Sequence, residues 1–199
     1  LADIKTISAL GGYACGAVTA LTVQNTRGVS GVRIMSGDFV SAQMESVLSD
    51  IRIDAVKIGM LGNCEVIEAA AGILRDHPVK HVVLDTILAS TSGTPLLEPE
   101  AVGVLIRKLL PLCTVFTPNL PEAAILLGDE TPADEGGMEN TARRLWNLAG
   151  CGPTVYLKGG HLSGDRMVDL VFDGKEVRVE EGENAGKTIS LFDIARASM

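Results

Sequence analysis

"AVKIGMLGNCEVIEAAAGILRDHPVKHVVLDT", residues 55–86, sets two short apolar runs on either side of a longer segment with a different rhythm. The flanks AVKIGM (55–60) and HVVLDT (81–86) are rich in Val, Ile and Leu and short enough to be strands buried in a sheet. The middle, CEVIEAAAGILRDH (64–77), is too long for a strand, and its Ala-rich composition suits a helix. Strand, helix and strand in this order form a βαβ unit, whose two strands are parallel and whose crossover is right-handed.

The same alternation extends both ways along the chain. Strands are expected over GAVTALTVQ (16–24), CTVFT (113–117) and TVYLK (154–158), and helices over 38–50, 98–111, 121–128 and 137–150. Within 38–50, Phe39, Val40, Met44, Val47 and Leu48 recur at helical spacing and make one core-facing stripe. After Lys158 the pattern changes: MVDLVFDGKEVRVEE (167–181) reads as two strands around Asp173-Gly174, a hairpin signal. The expected fold is α/β, three-layer αβα, with a mostly parallel central sheet and an antiparallel hairpin at one edge.

Composition agrees with that class. The 199 residues suit a single domain, and 46% hydrophobic with 4% aromatic content suits a buried sheet built from Ala, Val, Ile and Leu. A formal charge of −8 excludes a basic footprint for nucleic acid or an anionic membrane, although a polyphosphate can be held by backbone N–H groups, one lysine and a metal. Cys15, Cys64, Cys113 and Cys151 form no CxxC pair and read as buried free thiols of a reducing compartment. No apolar run is long enough to span a bilayer and no signal segment opens the chain, so a cytoplasmic location is expected.

In open parallel sheets ligands bind beyond the carboxyl ends of the strands, which directs attention to the residues just after each one. Asn119 and Glu122 in TPNLPEAAILL (117–127) have the spacing of a capping box; a carboxylate there could equally hold Mg²⁺ beside a helix start that favours phosphate. Asp85 ends an apolar strand and reads either as a turn cap or as a second acid for the same cation. Lys158-Gly159-Gly160 reads either as an ordinary turn or as a nest of backbone N–H groups with a point charge beside it. Gln24 offers a donor and an acceptor together, suited to a ring nitrogen and an adjacent amino group, or it is a strand-end residue bonded to backbone. Asp3 is most simply a helix-start acid, and Met60 and Ile87 core residues that could flank a flat ring. His161 is a weaker candidate. NAGKTIS (184–190) is not a P-loop, because Gly182 and Gly186 enclose three residues where that motif needs four.

Taken together, ADIKTISALGGY, TALTVQNTRGV, DAVKIGML, VVLDT, TPNLPEA and LKGGH resemble, in order and spacing, the bacterial hydroxymethylpyrimidine/phosphomethylpyrimidine kinases of thiamine biosynthesis, members of the ribokinase-like superfamily. The resemblance runs from about residue 2 to residue 180. It implies an ATP- and Mg²⁺-dependent, dimeric kinase that phosphorylates 4-amino-5-hydroxymethyl-2-methylpyrimidine and then its monophosphate. It further implies that Gln24 reads the aminopyrimidine edge, that Asp3 lies near the hydroxymethyl group, and that Met60 and Ile87 line the ring pocket. Asn119, Lys158, Gly159 and Gly160 would meet nucleotide and phosphate, with Lys158 catalytic, while Glu122 and Asp85 would serve the metal. The family's initial strand and glycine-rich loop, expected before Asp3, and its Gly-Thr-Gly-Cys anion-hole segment, expected soon after residue 182, are not found in these residues; there the chain reads GENAGKTISLFDIARASM. The alternatives are a pyridoxal-type vitamin kinase of the same superfamily and a catalytically inert pyrimidine-binding relative.

Overall fold

A computed structural model of the chain describes residues 2–25, 28–89, 95–132, 134–160 and 166–183. His161, Thr26 of the stretch after Gln24, and the tail 184–199 lie outside the described residues. Helix α1 (Ala2–Ala9) is followed by strands β1 (Ala20–Asn25) and β2 (Gly28–Ile34) and helix α2 (Gly37–Leu48). Next come β3 (Ala55–Ile58), α3 (Cys64–Asp76), β4 (His81–Leu84), α4 (Pro99–Val104), β5 (Val115–Phe116), α5 (Leu120–Leu127), α6 (Glu135–Leu148) and β6 (Thr154–Leu157). The described part closes with β7 (Arg166–Phe172) and β8 (Val177–Glu183).

Strands β3 to β8 form one six-stranded sheet in sequence order. The first four are parallel, and β7 and β8 add an antiparallel hairpin at the edge, as expected. Register decides which side chains share a face, because successive residues of a strand point to opposite sides. Ile58, Leu84, Phe116 and Val155 are partnered in line across the sheet and are all buried. They pack with α3 (Val66, Ile67, Leu74), α4 (Ala101), α5 (Ala123, Leu126) and α6 (Met138, Ala142, Leu145) in one apolar cluster. Removing each larger side chain from water stabilises the fold by about 1.5–3 kcal/mol. Lys57, Val83, Val115 and Thr154 form the corresponding row on the opposite face and are only half-buried.

Local chemistry sets the helix ends. Asn63 accepts the Val66 N–H at 3.0 Å to start α3, and His77 leaves helical geometry because Pro78 follows it. The helix expected over 98–111 is regular only to Val104; a wider turn (Leu105–Leu109) and a tight one (Leu110–Leu112) complete it. Pro111, lacking an N–H, cannot continue the ladder.

Two expectations need correction. The run 16–24 does not join the main sheet: its strand begins at Ala20 and pairs antiparallel with β2 in a separate two-stranded ribbon, bulged between Val23 and Gln24. Strand β2, GVSGVRI, carries two glycines that read as turn residues in sequence. The four cysteines are free, but only Cys113 is buried, its thiol pushed up to about 12 by desolvation, whereas Cys151 is exposed. Among the described residues no helix is long and apolar enough to cross a membrane.

The β7–β8 connection is held by Asp173, whose Oδ1 accepts the N–H groups of Lys175 (2.9 Å) and Glu176 (3.1 Å). Gly174 follows with φ +89°, over the ring of Trp146. That ring meets Phe172 edge-on at 5.6 Å, and the Arg143 guanidinium lies 4.8 Å from the Phe172 centroid. A Cβ on Gly174 would sit 2.3 Å from the indole. Gly174→Ala is therefore expected to cost about 2–4 kcal/mol, from left-handed strain and overpacking together, measurable as a lowered urea midpoint by circular dichroism.

Candidate active site

The alternation that buries Leu84 and Phe116 turns the residues that follow them to the other face. Asp85, Thr117 and Lys158 each lie two residues beyond a position of the half-buried row, or two beyond Tyr156, so they emerge on the side of Lys57. The structure brings them into contact. Lys158 Nζ donates to Asp85 Oδ1 at 3.0 Å, and Thr117 Oγ1 donates to the same oxygen at 3.2 Å. Lys57 Nζ lies 3.7 Å from Asp85 Oδ2 and 3.1 Å from Asp3 Oδ1.

The turn after β5 is locked to the end of β6. Asn119 and Lys158 form an isolated parallel bridge, with the Lys158 N–H donating to Pro118 O at 2.8 Å. Asn119 and Glu122 make both halves of the capping box: the Glu122 N–H donates to Asn119 Oδ1 (2.8 Å) and the Asn119 N–H to Glu122 Oε2 (2.9 Å). The cap reading is thus correct for this pair. Yet Glu122 is 7% exposed, unusual for a capping acid, and it also accepts from the buried Thr86 hydroxyl at 3.1 Å. Burial pushes its carboxyl above the usual range, and the negative charge of Asp85 adds to the rise. The Asn119 N–H, Lys158 and Thr86 pull it back.

In the glycine turn, one of the two backbone N–H groups that a nest would use is already taken. Gly159 N–H donates to Asp169 Oδ1 at 2.8 Å, so it is not a donor for an external anion in this arrangement. Its lack of a side chain serves a close approach instead, since a Cβ there would lie 1.8 Å from Val168 O. Asp169 is 3% exposed and also accepts from Tyr156 Oη at 3.1 Å. Burial raises its carboxyl, while the Gly159 N–H, Tyr156 and Lys158 lower it.

Of the remaining candidates, Ile87 lies at the same rim: the Cβ position of Gly59 is 3.6 Å from Ile87 Cδ1 and 3.2 Å from Lys57 Nζ. Met60 is joined to the base of the ribbon by the Thr19 hydroxyl, which donates to its carbonyl at 2.5 Å, and it lines an apolar recess with Val32, Ile34 and Leu97. Gln24 is exposed on the ribbon, where the Thr22 hydroxyl donates to its Oε1 at 3.4 Å. No described contact joins it to the acid–lysine cluster. Thr86 and Thr117 fall among the residues just after a strand to which the sequence directs attention, though with no role of their own; Lys57 and Asp169 were not anticipated from sequence. Strand parity could have found Lys57, because it lies on the same face of the sheet as Asp85.

Among the described residues no three or more His, Cys, Asp and Glu gather as a metal cage. Asp85 and Glu122 nonetheless feel each other's charge. Mg²⁺ asks for only one or two carboxylates when phosphate oxygens and water complete its shell. The residues present fit such an open site and do not fit a closed one.

The direction of the Glu122 shift can be tested through stability. A carboxyl whose pKa is raised by folding lowers stability as pH climbs from its unfolded toward its folded value, and costs nothing below both. Glu122→Gln keeps a side chain accepted at this capping position and removes the charge. Relative to the parent, the variant should gain thermal stability as pH rises above about 4.3, the ordinary glutamate value, and a difference in melting temperature that is flat or falling on that rise contradicts the upward shift.

Comparison with known proteins agrees with this arrangement of strands and turns. The description of the phosphomethylpyrimidine kinase family matches residues 1–188. The hydroxymethylpyrimidine/phosphomethylpyrimidine kinase of Escherichia coli K12 is 48% identical over 171 residues, covering 86% of this chain and 64% of that protein. The chain therefore spans just under two thirds of that relative's length. The crystal structure of a phosphomethylpyrimidine kinase from Clostridium difficile 630 superposes with a TM-score of 0.80 at 38% identity, covering 89% of this chain and 75% of that one. A pyridoxal kinase from Staphylococcus aureus, solved with AMP-PCP and pyridoxal, gives a TM-score of 0.80 at 31% identity over 92% of this chain and 65% of that one. The six-stranded mixed sheet, the turns at its carboxyl edge and the match over nearly the whole chain lead to one assignment: the chain belongs to the phosphomethylpyrimidine kinase family.

Proposed function

We propose that the protein is an ATP-dependent kinase of thiamine biosynthesis that phosphorylates 4-amino-5-hydroxymethyl-2-methylpyrimidine and then its monophosphate. The observation that carries this is the meeting of Asp85, Lys158 and the buried Glu122 at the carboxyl edge of a parallel sheet, in a chain of this family. Transfer forms a bond between the acceptor oxygen and the γ-phosphorus and breaks the bond from that phosphorus to the β,γ-bridging oxygen, which leaves with ADP, while a hydroxyl acceptor gives up its proton to solvent. Positioning and charge compensation do most of the work in such a step.

In this proposal Lys158 directs its ammonium to the phosphoryl oxygens, and Asn119 and Gly160 meet the phosphate chain at the start of α5. Glu122 and Asp85 would hold Mg²⁺, which would offset phosphate charge when bound. Asp169 takes the Gly159 N–H and so keeps the Lys158-Gly159-Gly160 turn in shape. On the acceptor side, Asp3 addresses the hydroxymethyl group, Met60 and Ile87 flank the ring, and Gln24 reads the aminopyrimidine edge. The exposed position of Gln24 on the ribbon means that this last contact requires the ribbon to fold over the ring. The protein acts as a cytoplasmic homodimer.

The test is ADP release by the purified protein in the presence of Mg²⁺, with the pyrimidine alcohol and with pyridoxal as acceptors. Turnover with the pyrimidine, abolished by chelation of Mg²⁺, is expected. Lys158→Met should lower kcat/KM by about a hundredfold or more, and Asp85→Asn by about tenfold or more. Preference for pyridoxal selects the pyridoxal-type reading, supported by the likeness to the Staphylococcus aureus enzyme. Calorimetric binding of the pyrimidine without turnover selects an inert relative.

A further inference from the structure

Lys57 occupies a place on the sheet that packing does not require a lysine to fill. Its partner in register is Val83, and the next in the row is Val115. A valine at 57 would continue that row. Instead an ammonium group is held there with its side chain 15% exposed, and a charge so far withdrawn from water persists only with compensating partners.

It has two, Asp3 and Asp85. Both oxygens of Asp3 lie 3.1 Å from Nζ. Asp85 Oδ2 lies at 3.7 Å, while the other oxygen of Asp85 is taken by Lys158 and Thr117. Asp85 thus meets a different lysine with each oxygen. The ammonium group also stands 3.2 Å from the Cβ position of Gly59, which is itself beside Ile87.

The other end of this chain of contacts is weakly anchored. Helix α1 has eight residues, none of them buried, and a helix that short is not stable by itself. Without the pair to Lys57, Asp3 would move with a helix that has no buried side chain.

We propose that Lys57 is a positioning residue: it ties Asp3, and with it α1, to Asp85, so that the acceptor-side acid and the phosphate-side acid are held by one ammonium group. The assignment of the two sides rests on the function proposed above. The tether itself rests only on the contacts of Lys57.

Both parts can be read in one set of variants. Lys57→Met keeps most of the stem and removes the charge, and Asp3→Asn breaks the same pair from its more exposed end, where the Asp3 side chain is 43% exposed. In steady-state assays with MgATP, each should raise KM for the pyrimidine alcohol by about tenfold or more and KM for ATP by less than about threefold. Lys57→Arg should recover part of the loss. The double variant should be no worse than the poorer single one, because both remove one interaction. Hydrogen exchange of the amides of residues 2–9 should quicken in Lys57→Met, with those of 120–127 unchanged. Equal rises in both KM values, or additive losses in the double variant, would overturn the positioning role. Unchanged exchange in α1 would overturn the tether. Should Lys57→Met not fold, Lys57→Gln carries the KM measurements and Asp3→Asn the exchange of α1, since Asp3 itself faces the acceptor. Absence of turnover by the parent protein counts against the proposed function alone, since the exchange of α1 still decides the tether.

Discussion

One carboxylate shared by two ammonium groups organises the rim of this sheet. Asp85 takes Lys158 on one oxygen and Lys57 near the other, and through them it touches the ends of β3, β4 and β6. Thr117 adds the end of β5. The geometry follows from a rule as plain as the two-residue period of a strand: in four parallel neighbours in register, residues an even number of steps from a common row turn to the same side as that row. The apolar helices fill one face of the sheet, and these ionisable groups collect at the carboxyl edge of the other.

Charge at that edge is unbalanced among the described residues. Asp3, Asp85, Glu122 and Asp169 face Lys57 and Lys158, four carboxylates to two ammonium groups. Two of the four, Glu122 and Asp169, are buried deeply enough that desolvation raises them. An excess of negative charge repels a polyphosphate, and a divalent cation entering with it is the direct remedy. The same groups also keep the turns in order: Glu122 completes a helix cap and Asp169 fixes a glycine. Structural and chemical duties are therefore not separable here by deleting one side chain, and charge-neutral replacements of matched shape are the informative ones.

The alternation of strands and helices from residue 55 to residue 158 could be read in sequence because periodicity and element length point the same way there. The hairpin after it was readable from Asp173-Gly174. The ribbon was not, because the glycines of GVSGVRI imitate a turn and its partner run looks like any other strand of an α/β protein. Asp85, Asn119, Glu122 and Lys158 stood out as polar residues at strand ends, and they do converge. Lys57 did not, since a lysine within a strand reads as a solvated side chain until register shows what it faces. For Gly159-Gly160 the sequence left open an ordinary turn and a nest of N–H donors, and the Gly159 N–H is taken by Asp169. Whether an N–H is available depends on the acid opposite it, here Asp169 on a strand that joins the sheet only in three dimensions.

Trp146 is the one tryptophan of the sequence, and it lies where α6 meets the β7–β8 hairpin, edge-on to Phe172 and beneath Gly174. Its buried Nε1 has no hydrogen-bond partner among the described residues. An indole whose N–H is shielded in this way emits at shorter wavelength than a solvated one, and water reaching it shifts the emission to the red. Intrinsic fluorescence of this protein is therefore a local gauge of whether the edge hairpin is seated on its helix, and it can change while the parallel strands beside it stay intact.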